Sequence, residues 1–303
     1  MEASTLDLQD RLIVLSEVAA QDMPGGSLYV VATPIGNAAD ITLRALWVLS
    51  QVDVIAAEDT RVTRPLLSRF GIRTPLLAAH QHNEREVAQQ IVERLARGER
   101  VAIVTDAGTP ALSDPGSLLV RAALAAGRRV IPIPGPSSAI AALSAAGLTP
   151  GPFVFAGFLP GGAGERDRAL RLLAADGKPF LLFEAPHRIV DLVAMLSAVL
   201  APERRVVLAR ELTKKFEAIS VQRAVDLATI SIEERGEYVV LIDAAATAAT
   251  QDADSAEVDP TVARWLAALL EEIPPARAAA IAAKVSGHPK SVMYALALQL
   301  KAN

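Results

Sequence analysis

The sequence predicts an α/β protein: two α/β domains followed by a small helical module. Three observations carry this. Short apolar runs alternate with helical patterns from Leu28 to Ile242, the alternation that produces parallel strands, right-handed crossovers and helices on both sheet faces. Each strand of the first half ends in a polar or Gly/Pro-bearing loop, so the loops gather on one sheet edge, where open α/β sheets bind ligands. The 303 residues, 51% of them hydrophobic, are enough to fill two cores.

Residues 1–26 read as an N-terminal extension. Glu2, Asp7 and Asp10 precede a short apolar run, whereas a secretory signal wants a basic start and a longer apolar stretch. No apolar run approaches the ~20 residues of a membrane span. The first domain, 27–147, opens with a buried strand at Leu28 to Thr33 that ends in Pro34, Ile35, Gly36 and Asn37. Asp40 is the expected cap of a helix with Ile41, Leu43, Leu46 and Leu49 at helical spacing. A strand at Val52 to Ala57 delivers Glu58, Asp59, Thr60 and Arg61, and a helix runs on to Phe70. The strand Pro75 to Ala79 is followed by a helix carrying Val87, Ile91, Val92 and Leu95.

The stretch around which the rest is organised comes next. Val101 to Thr105 has strand character and runs into Asp106, Ala107, Gly108, Thr109 and Pro110. An apolar run ending in an acidic, glycine- and proline-bearing turn is how a buried parallel strand meets a site loop. The other reading is a solvated turn in which Asp114 caps a helix starting near Pro115. A strand at Val130 to Ile133 then leads into Pro134, Gly135, Pro136, Ser137 and Ser138.

The second domain, 148–243, has strands at Phe153 to Phe158, Phe180 to Phe183, Arg205 to Ala209 and Val239 to Ile242. Between the first two lie a flexible loop, Pro160 to Gly164, and a basic helix with Arg166, Arg168 and Arg171. Glu184 follows the second strand, and Arg210 to Lys215 follow the third. Residues 244–256, rich in alanine, threonine and aspartate, read as a linker. Residues 257–303 form helices, with Trp265, Leu266, Leu269 and Leu270 on one face and two helical runs around Ser286 to Lys290. From Ala276 onward Arg277, Lys284, Lys290 and Lys301 meet no acidic residue. Such a helix-turn-helix-like unit suits phosphate contacts, or it is a packing or dimer element with ordinary surface lysines.

Composition removes several classes of function. There are no cysteines, which excludes disulfides, thiol nucleophiles and thiolate metal sites. With four scattered histidines, no metal is expected. A net charge of −4 is not that of a chain coating nucleic acid non-specifically, so RNA contact must rest on local patches. No G-x-G-x-x-G follows any strand, so a dinucleotide cradle is missing.

The segments LYVVATPIGNAADITLRAL, AAEDTRVT, VTDAGTPALSDPG, PIPGPSSAIAALSAAGL, GFLP, FEAPHRI, LARELTKKFE and GEYVVLI, in this order, resemble the small-subunit ribosomal RNA methyltransferase I family. That family lies within the tetrapyrrole methylase superfamily. The resemblance spans about Ser27 to Ile242 and extends to the C-terminal module. It implies a tetrapyrrole-methylase-type fold with S-adenosyl-L-methionine bound in the cleft between the two domains, 2′-O-methylation of a cytidine in 16S ribosomal RNA near the decoding centre, a homodimer, and a cytoplasmic setting without membrane association. The implied partner is 16S RNA within the small ribosomal subunit. By family position, Pro34, Asp106, Gly108, Thr109, Leu112, Ser137, Ser138, Glu184 and Arg210 line the cofactor pocket.

A ribose hydroxyl is a weak acid, so a base or a strong local field is wanted. Burial beside Lys215 or a bound sulfonium would depress Lys214 and leave it neutral as that base; pairing with an RNA phosphate suits the same side chain equally. Glu58 and Asp59 stand as base, or as partners of Arg61 and Arg64 that shape the substrate side. For RNA the candidates are Arg61, Arg64, Arg166, Lys215 and Lys290, since arginine forks match phosphate; the alternative is that they are solvated helix faces. With 4% aromatic residues, base stacking is not the main mode. Two other readings compete: a methyltransferase acting on a tetrapyrrole-like small molecule, and a ribosome-docking factor without catalysis.

Overall fold

The computed structural model describes residues 17–245 and 260–302. Residues 1–16 of the expected N-terminal extension and most of the expected linker lie outside them. The described residues up to Ala244 belong to one compact unit and those after it to a second.

The first unit opens with a five-stranded sheet built from β1 (Ser27–Val31), β2 (Val54–Ala57), β3 (Leu76–Ala78), β4 (Val101–Val104) and β5 (Arg129–Ile133), in the order β3-β2-β4-β1-β5. Every pairing in it is parallel. Helices α1 (Leu43–Gln51), α2 (Thr60–Arg69), α3 (Glu84–Ala96) and α4 (Ser117–Ala125) make the crossovers, and α5 (Ser138–Ala146) leads on from β5 to the second sheet. The central strands β2 and β4 are buried along their whole length, which explains their unbroken apolar sequence: both faces are covered. Alternate residues feed two cores. Tyr29 and Val31 pack with Leu46 and Leu49 of α1 on one side, while Leu28 packs with Ile91 and Leu95 of α3 on the other.

Two expected caps are corrected. Thr42, not Asp40, accepts from the Ala45 N–H at 3.0 Å and starts α1; Asp40 ends a 3-10 turn over Ala38–Asp40 that precedes it. Asp114 does not cap the next helix either. The buried Glu84 reaches across from α3, and its Oε1 accepts from the backbone N–H of Gly116 and Leu118 at 2.8 and 3.0 Å. A carboxylate at a helix N-terminus satisfies free N–H groups and complements the helix dipole, so Asp114 is left free for the cleft.

The second sheet joins β6 (Val154–Phe158), β7 (Phe180–Glu184), β8 (Arg205–Arg210), β9 (Ala218–Arg223) and β10 (Tyr238–Ile242) in the order β6-β7-β10-β8-β9. Only the β6–β7 pairing is parallel; β10 runs antiparallel to both β7 and β8, and β9 is antiparallel to β8. Tyr238, Val240 and Ile242 of β10 face the core under α6 (Ala163–Ala175) and α7 (Ile189–Val199). Val239 and Leu241 face the other way, onto Ala139, Ala142 and Ala146 of α5. A helix from the first half of the chain thus covers the second sheet, and the small side chains of α5 allow the close approach.

Among the described residues, the C-terminal unit has three helices, α8 (Pro260–Glu272), α9 (Pro275–Ser286) and α10 (Lys290–Ala302), around Leu266, Ala278, Ala279, Ala282, Met293 and Ala297. Gly287, at φ +76°, turns the chain between α9 and α10 as a left-handed helix stop. Arg277, Lys284, Lys290 and Lys301 are all exposed.

Candidate active-site cleft

β2 and β4 end side by side and bring three carboxylates to one edge. Glu58 Oε2 accepts from the Asp106 N–H at 3.3 Å, and Asp106 Oδ1 accepts from the Asp59 N–H at 3.0 Å. Asp59 caps α2 through the Arg61 N–H and holds the Arg61 guanidinium at 2.6 Å. Those hydrogen bonds bring its carboxyl down to about 2. Burial pushes Glu58 and Asp106 the other way, above the usual carboxylate range. Asp114 is raised to about 6, first by burial and then by the charges of Glu58, Asp106 and Glu237.

The loops after β1, β4 and β5 are tied together by backbone. Thr33 and Gly108 exchange N–H···O bonds of 2.9 and 3.0 Å, and the Thr109 hydroxyl donates to the Pro136 carbonyl at 3.0 Å. Gly108 sits at φ +82°, where a side chain is disfavoured. Ala111 and Ser113 take left-handed backbone without being glycine, a conformation held only where surroundings over-determine it.

From the second sheet comes the segment after β8. Glu211 and Thr213 are also left-handed non-glycine residues, which folds the segment tightly enough for the Thr213 Oγ1 to accept from the Asn37 N–H at 3.1 Å. Gly36 lies against Thr213 and Lys214 with no room for a Cβ. Lys214 Nζ donates to Glu211 Oε1 at 2.8 Å and to Glu237 Oε2 at 2.9 Å. Burial works against the Lys214 charge, but these hydrogen bonds outweigh it and hold the ammonium above its usual range. The expectation of a neutral lysine base is therefore corrected: two carboxylates keep the proton on.

Arg166 is corrected too. Instead of facing RNA it is buried on α6, where its guanidinium pairs with the equally buried Glu184; Arg188 joins from the other side at 3.3 Å. Burying a carboxylate requires such partners. Arg61, Arg64, Lys215 and Lys290, by contrast, are exposed.

Two cavities occupy the cleft. One, of about 270 Å³, lies between the sheets and is walled by Phe158, Phe183, Leu212 and Val239, with Asp114 and Ser138 contributed by the loops of the first sheet. Glu184 reaches it from the end of β7. The other, of about 320 Å³, lies over Pro34, Gly36, Asp106 and the α2 residues Val62, Thr63 and Leu66. Ile35, Ala107, Lys214 and Glu237 line both. Of the residues the resemblance assigned to the cofactor, Ser138 and Glu184 line the first cavity and Pro34 and Asp106 the second. Gly108, Thr109 and Ser137 shape the loops behind them, Leu112 is exposed, and Arg210 bonds the Arg235 carbonyl at 3.3 Å. Glu58 and Asp59 stand behind Asp106. Sequence reasoning missed Glu211 and Glu237. The available signal for Glu237 was an acid between Gly236 and a fully apolar strand, at a strand end facing the loops. Among the described residues, no His, Cys, Asp or Glu group is arranged to hold a metal ion.

With the geometry in place, the relatives can be compared. The family described as Tetrapyrrole (Corrin/Porphyrin) Methylases matches residues 27–228, and the RsmI C-terminal HTH domain matches residues 255–301. The ribosomal RNA small subunit methyltransferase I of Pseudomonas aeruginosa is 47% identical over 281 residues, covering 91% of this chain and 98% of that relative. That of Escherichia coli O157:H7 is 44% identical over 282 residues, covering 92% and 96%. Among solved structures, the methyltransferase CobJ superposes with a TM-score of 0.57 at 24% identity, covering 73% of this chain and 95% of that one. The uroporphyrin-III C-methyltransferase of Thermus thermophilus complexed with S-adenosyl homocysteine gives 0.51 at 19%, covering 72% and 97%. These two share the fold. By the match over residues 27–228, by its C-terminal helices and by relatives of like length, the chain belongs to the tetrapyrrole methylases, in the branch of the small-subunit ribosomal RNA methyltransferases I.

Proposed function

We infer that the chain transfers a methyl group from S-adenosylmethionine to the 2′-oxygen of a cytidine ribose in small-subunit (16S) ribosomal RNA, close to the decoding centre. The observation that carries this reading is the pair of cavities that meet along one edge at Lys214 and Glu237. One holds a donor, the other receives an acceptor nucleoside, and the two open onto each other. The relatives of like length support the RNA substrate by their name.

The first cavity fits the cofactor chemically. Its aromatic and aliphatic walls suit an adenosyl group, and Asp114 and Glu237 supply negative charge for a cation. When bound, the cofactor supplies an electrophilic methyl on a sulfonium; the protein supplies binding, orientation and electrostatics. Asp114 and Ser138 hold the donor from the first domain, Glu184 and its arginine partners keep the far wall rigid, and the tied loops at Gly108, Thr109 and Ser137 keep the cradle in one shape. Pre-set geometry is what accelerates an in-line displacement. On the acceptor side, Arg61 and Arg64 of α2 and Lys215 present charge to phosphates. The C-terminal helices by themselves offer Lys290 and its neighbours for phosphate contact. A homodimer and a cytoplasmic location, where small subunits are found, belong to the same reading. Among the described residues no helix is long and apolar enough to cross a membrane.

The test uses the purified chain, tritium-labelled S-adenosylmethionine and small subunits from cells that lack the modification. Label is expected on the 2′-oxygen of one cytidine, mapped by nuclease digestion and mass spectrometry. Asp106→Ala is expected to reduce transfer by ~10²-fold, as loss of a preorganised polar group at a reacting centre does. Cofactor binding without transfer to RNA would redirect the search to a small-molecule acceptor, and absence of cofactor binding would leave a docking role.

A further inference from the structure

We propose that Glu237 is the group that takes the 2′-hydroxyl proton during transfer, with the Lys214 ammonium holding its carboxylate at the junction of the two cavities. The proposal rests on the reading above, that donor and acceptor occupy neighbouring cavities. If they do, the reacting oxygen and carbon meet where the cavities meet, and the proton acceptor must stand within hydrogen-bond reach of that place. Four residues line both cavities, and only Lys214 and Glu237 among them ionise. Lys214 is bonded to two carboxylates and stays protonated. Asp114 lines the donor cavity alone, and Asp106 the acceptor cavity alone. That leaves Glu237.

The surroundings are built to place this side chain. Glu211 and Glu237 are cross-bonded by backbone: the Glu211 N–H donates to the Glu237 carbonyl at 3.0 Å, and Glu211 Oε1 accepts from the Glu237 N–H at 3.1 Å. Gly236, at φ +79°, lies so close to the Glu211 side chain that a Cβ would not fit. Glu211 Oε1 accepts from both Lys214 and the Glu237 backbone, and Glu211 lines the donor cavity alone, away from the junction. The Glu237 side chain is 77% exposed toward the cleft, and one carboxylate oxygen, Oε2, is engaged by Lys214. Oε1 remains to face an incoming hydroxyl.

The chemistry balances. The oxygen–carbon bond forms as the carbon–sulfur bond breaks, with its electron pair returning to sulfur, and the hydroxyl proton passes to the Glu237 carboxylate. A carboxylate is a weak base for a free ribose hydroxyl. As the new bond forms, however, the oxygen gains positive character and its proton becomes strongly acidic, so a weak base correctly placed is enough. The charged groups facing Glu237 are Lys214 and Glu211 from the segment after β8, Asp114 from the loop after β4, and Asp106 across the acceptor cavity.

The test compares wild type, Glu237→Gln, Glu237→Asp and Asp106→Asn in single-turnover methyl transfer to unmodified small subunits from pH 5 to 9. S-adenosylhomocysteine affinity by calorimetry and subunit affinity by filter binding are measured alongside. Glu237→Gln is expected to bind both within about threefold of wild type while losing at least ~10²-fold in transfer rate, the scale of a lost general base. Glu237→Asp should restore part of the rate. Transfer by Glu237→Gln within threefold of wild type overturns the proposal. So does a Glu237→Gln defect explained wholly by weaker homocysteine or subunit binding. No transfer by wild type itself removes the parent reading, and the proposal with it.

Discussion

Asp114 is the residue where the cleft works against the fold. Its carboxyl is raised to about 6 by burial and by three neighbouring acids. The folded chain therefore holds that proton more tightly than the unfolded chain. The cost of ionising it is absent below the ordinary value of 3.8, grows between there and about pH 6, and is complete above. Asp114→Asn should raise unfolding free energy by about 1–2 kcal/mol at pH 8, after allowance for solvent screening of a partly buried group, with no gain at pH 4. Urea titrations at the two pH values check this; an equal effect at both would remove the electrostatic explanation. At this scale the sequence was legible for residues that their own loop carries to a cavity wall, such as Asp106 and Ser138. It was silent about Glu237 and Glu211, because their role depends on two strand ends distant in sequence becoming neighbours.

Among elements, α6 shows how a charge pattern misleads. Arg166, Arg168 and Arg171 read as a basic helix, yet Arg166 and Leu170 are four residues apart and both buried. A helix repeats its face at that spacing, so the apolar partner at 170 was the available sign that 166 turns inward. Arg166→Ala should cost about 3–5 kcal/mol by leaving Glu184 buried beside Arg188 alone, whereas Arg168→Ala, on the exposed face, should stay within ~0.5 kcal/mol. Chemical denaturation of the two variants separates them, and equal losses would contradict the buried pair. The first sheet was readable because both-face burial writes itself as unbroken apolar runs. β9 was not: Ala218–Arg223 is an edge strand whose mostly exposed, polar-alternating residues look like a loop. The caps at Thr42 and Glu84 likewise depended on geometry, since several acceptors lay within reach of each helix start.

For the whole molecule, a net charge of −4 means that RNA attraction is confined to patches. Replacing Lys284 and Lys290 by glutamine should weaken subunit binding and reduce the slope of log affinity against log salt by roughly 1–2, about one for each lost phosphate contact. Cofactor affinity, set in the cleft, should not follow. Binding measured across a salt series decides it; an unaltered slope would make the C-terminal helices a packing module. The order of the second sheet has a further consequence, in time rather than in space. β10, its middle strand, is the last of the ten to be synthesised. Until Tyr238–Ile242 emerges, β7 and β8 each present an unpaired apolar edge, and α5 waits with its alanine face uncovered. The arrival of β10 closes the sheet and sets Glu237 beside Lys214 in the same event, so a chain interrupted during synthesis has neither a finished second core nor a finished active site.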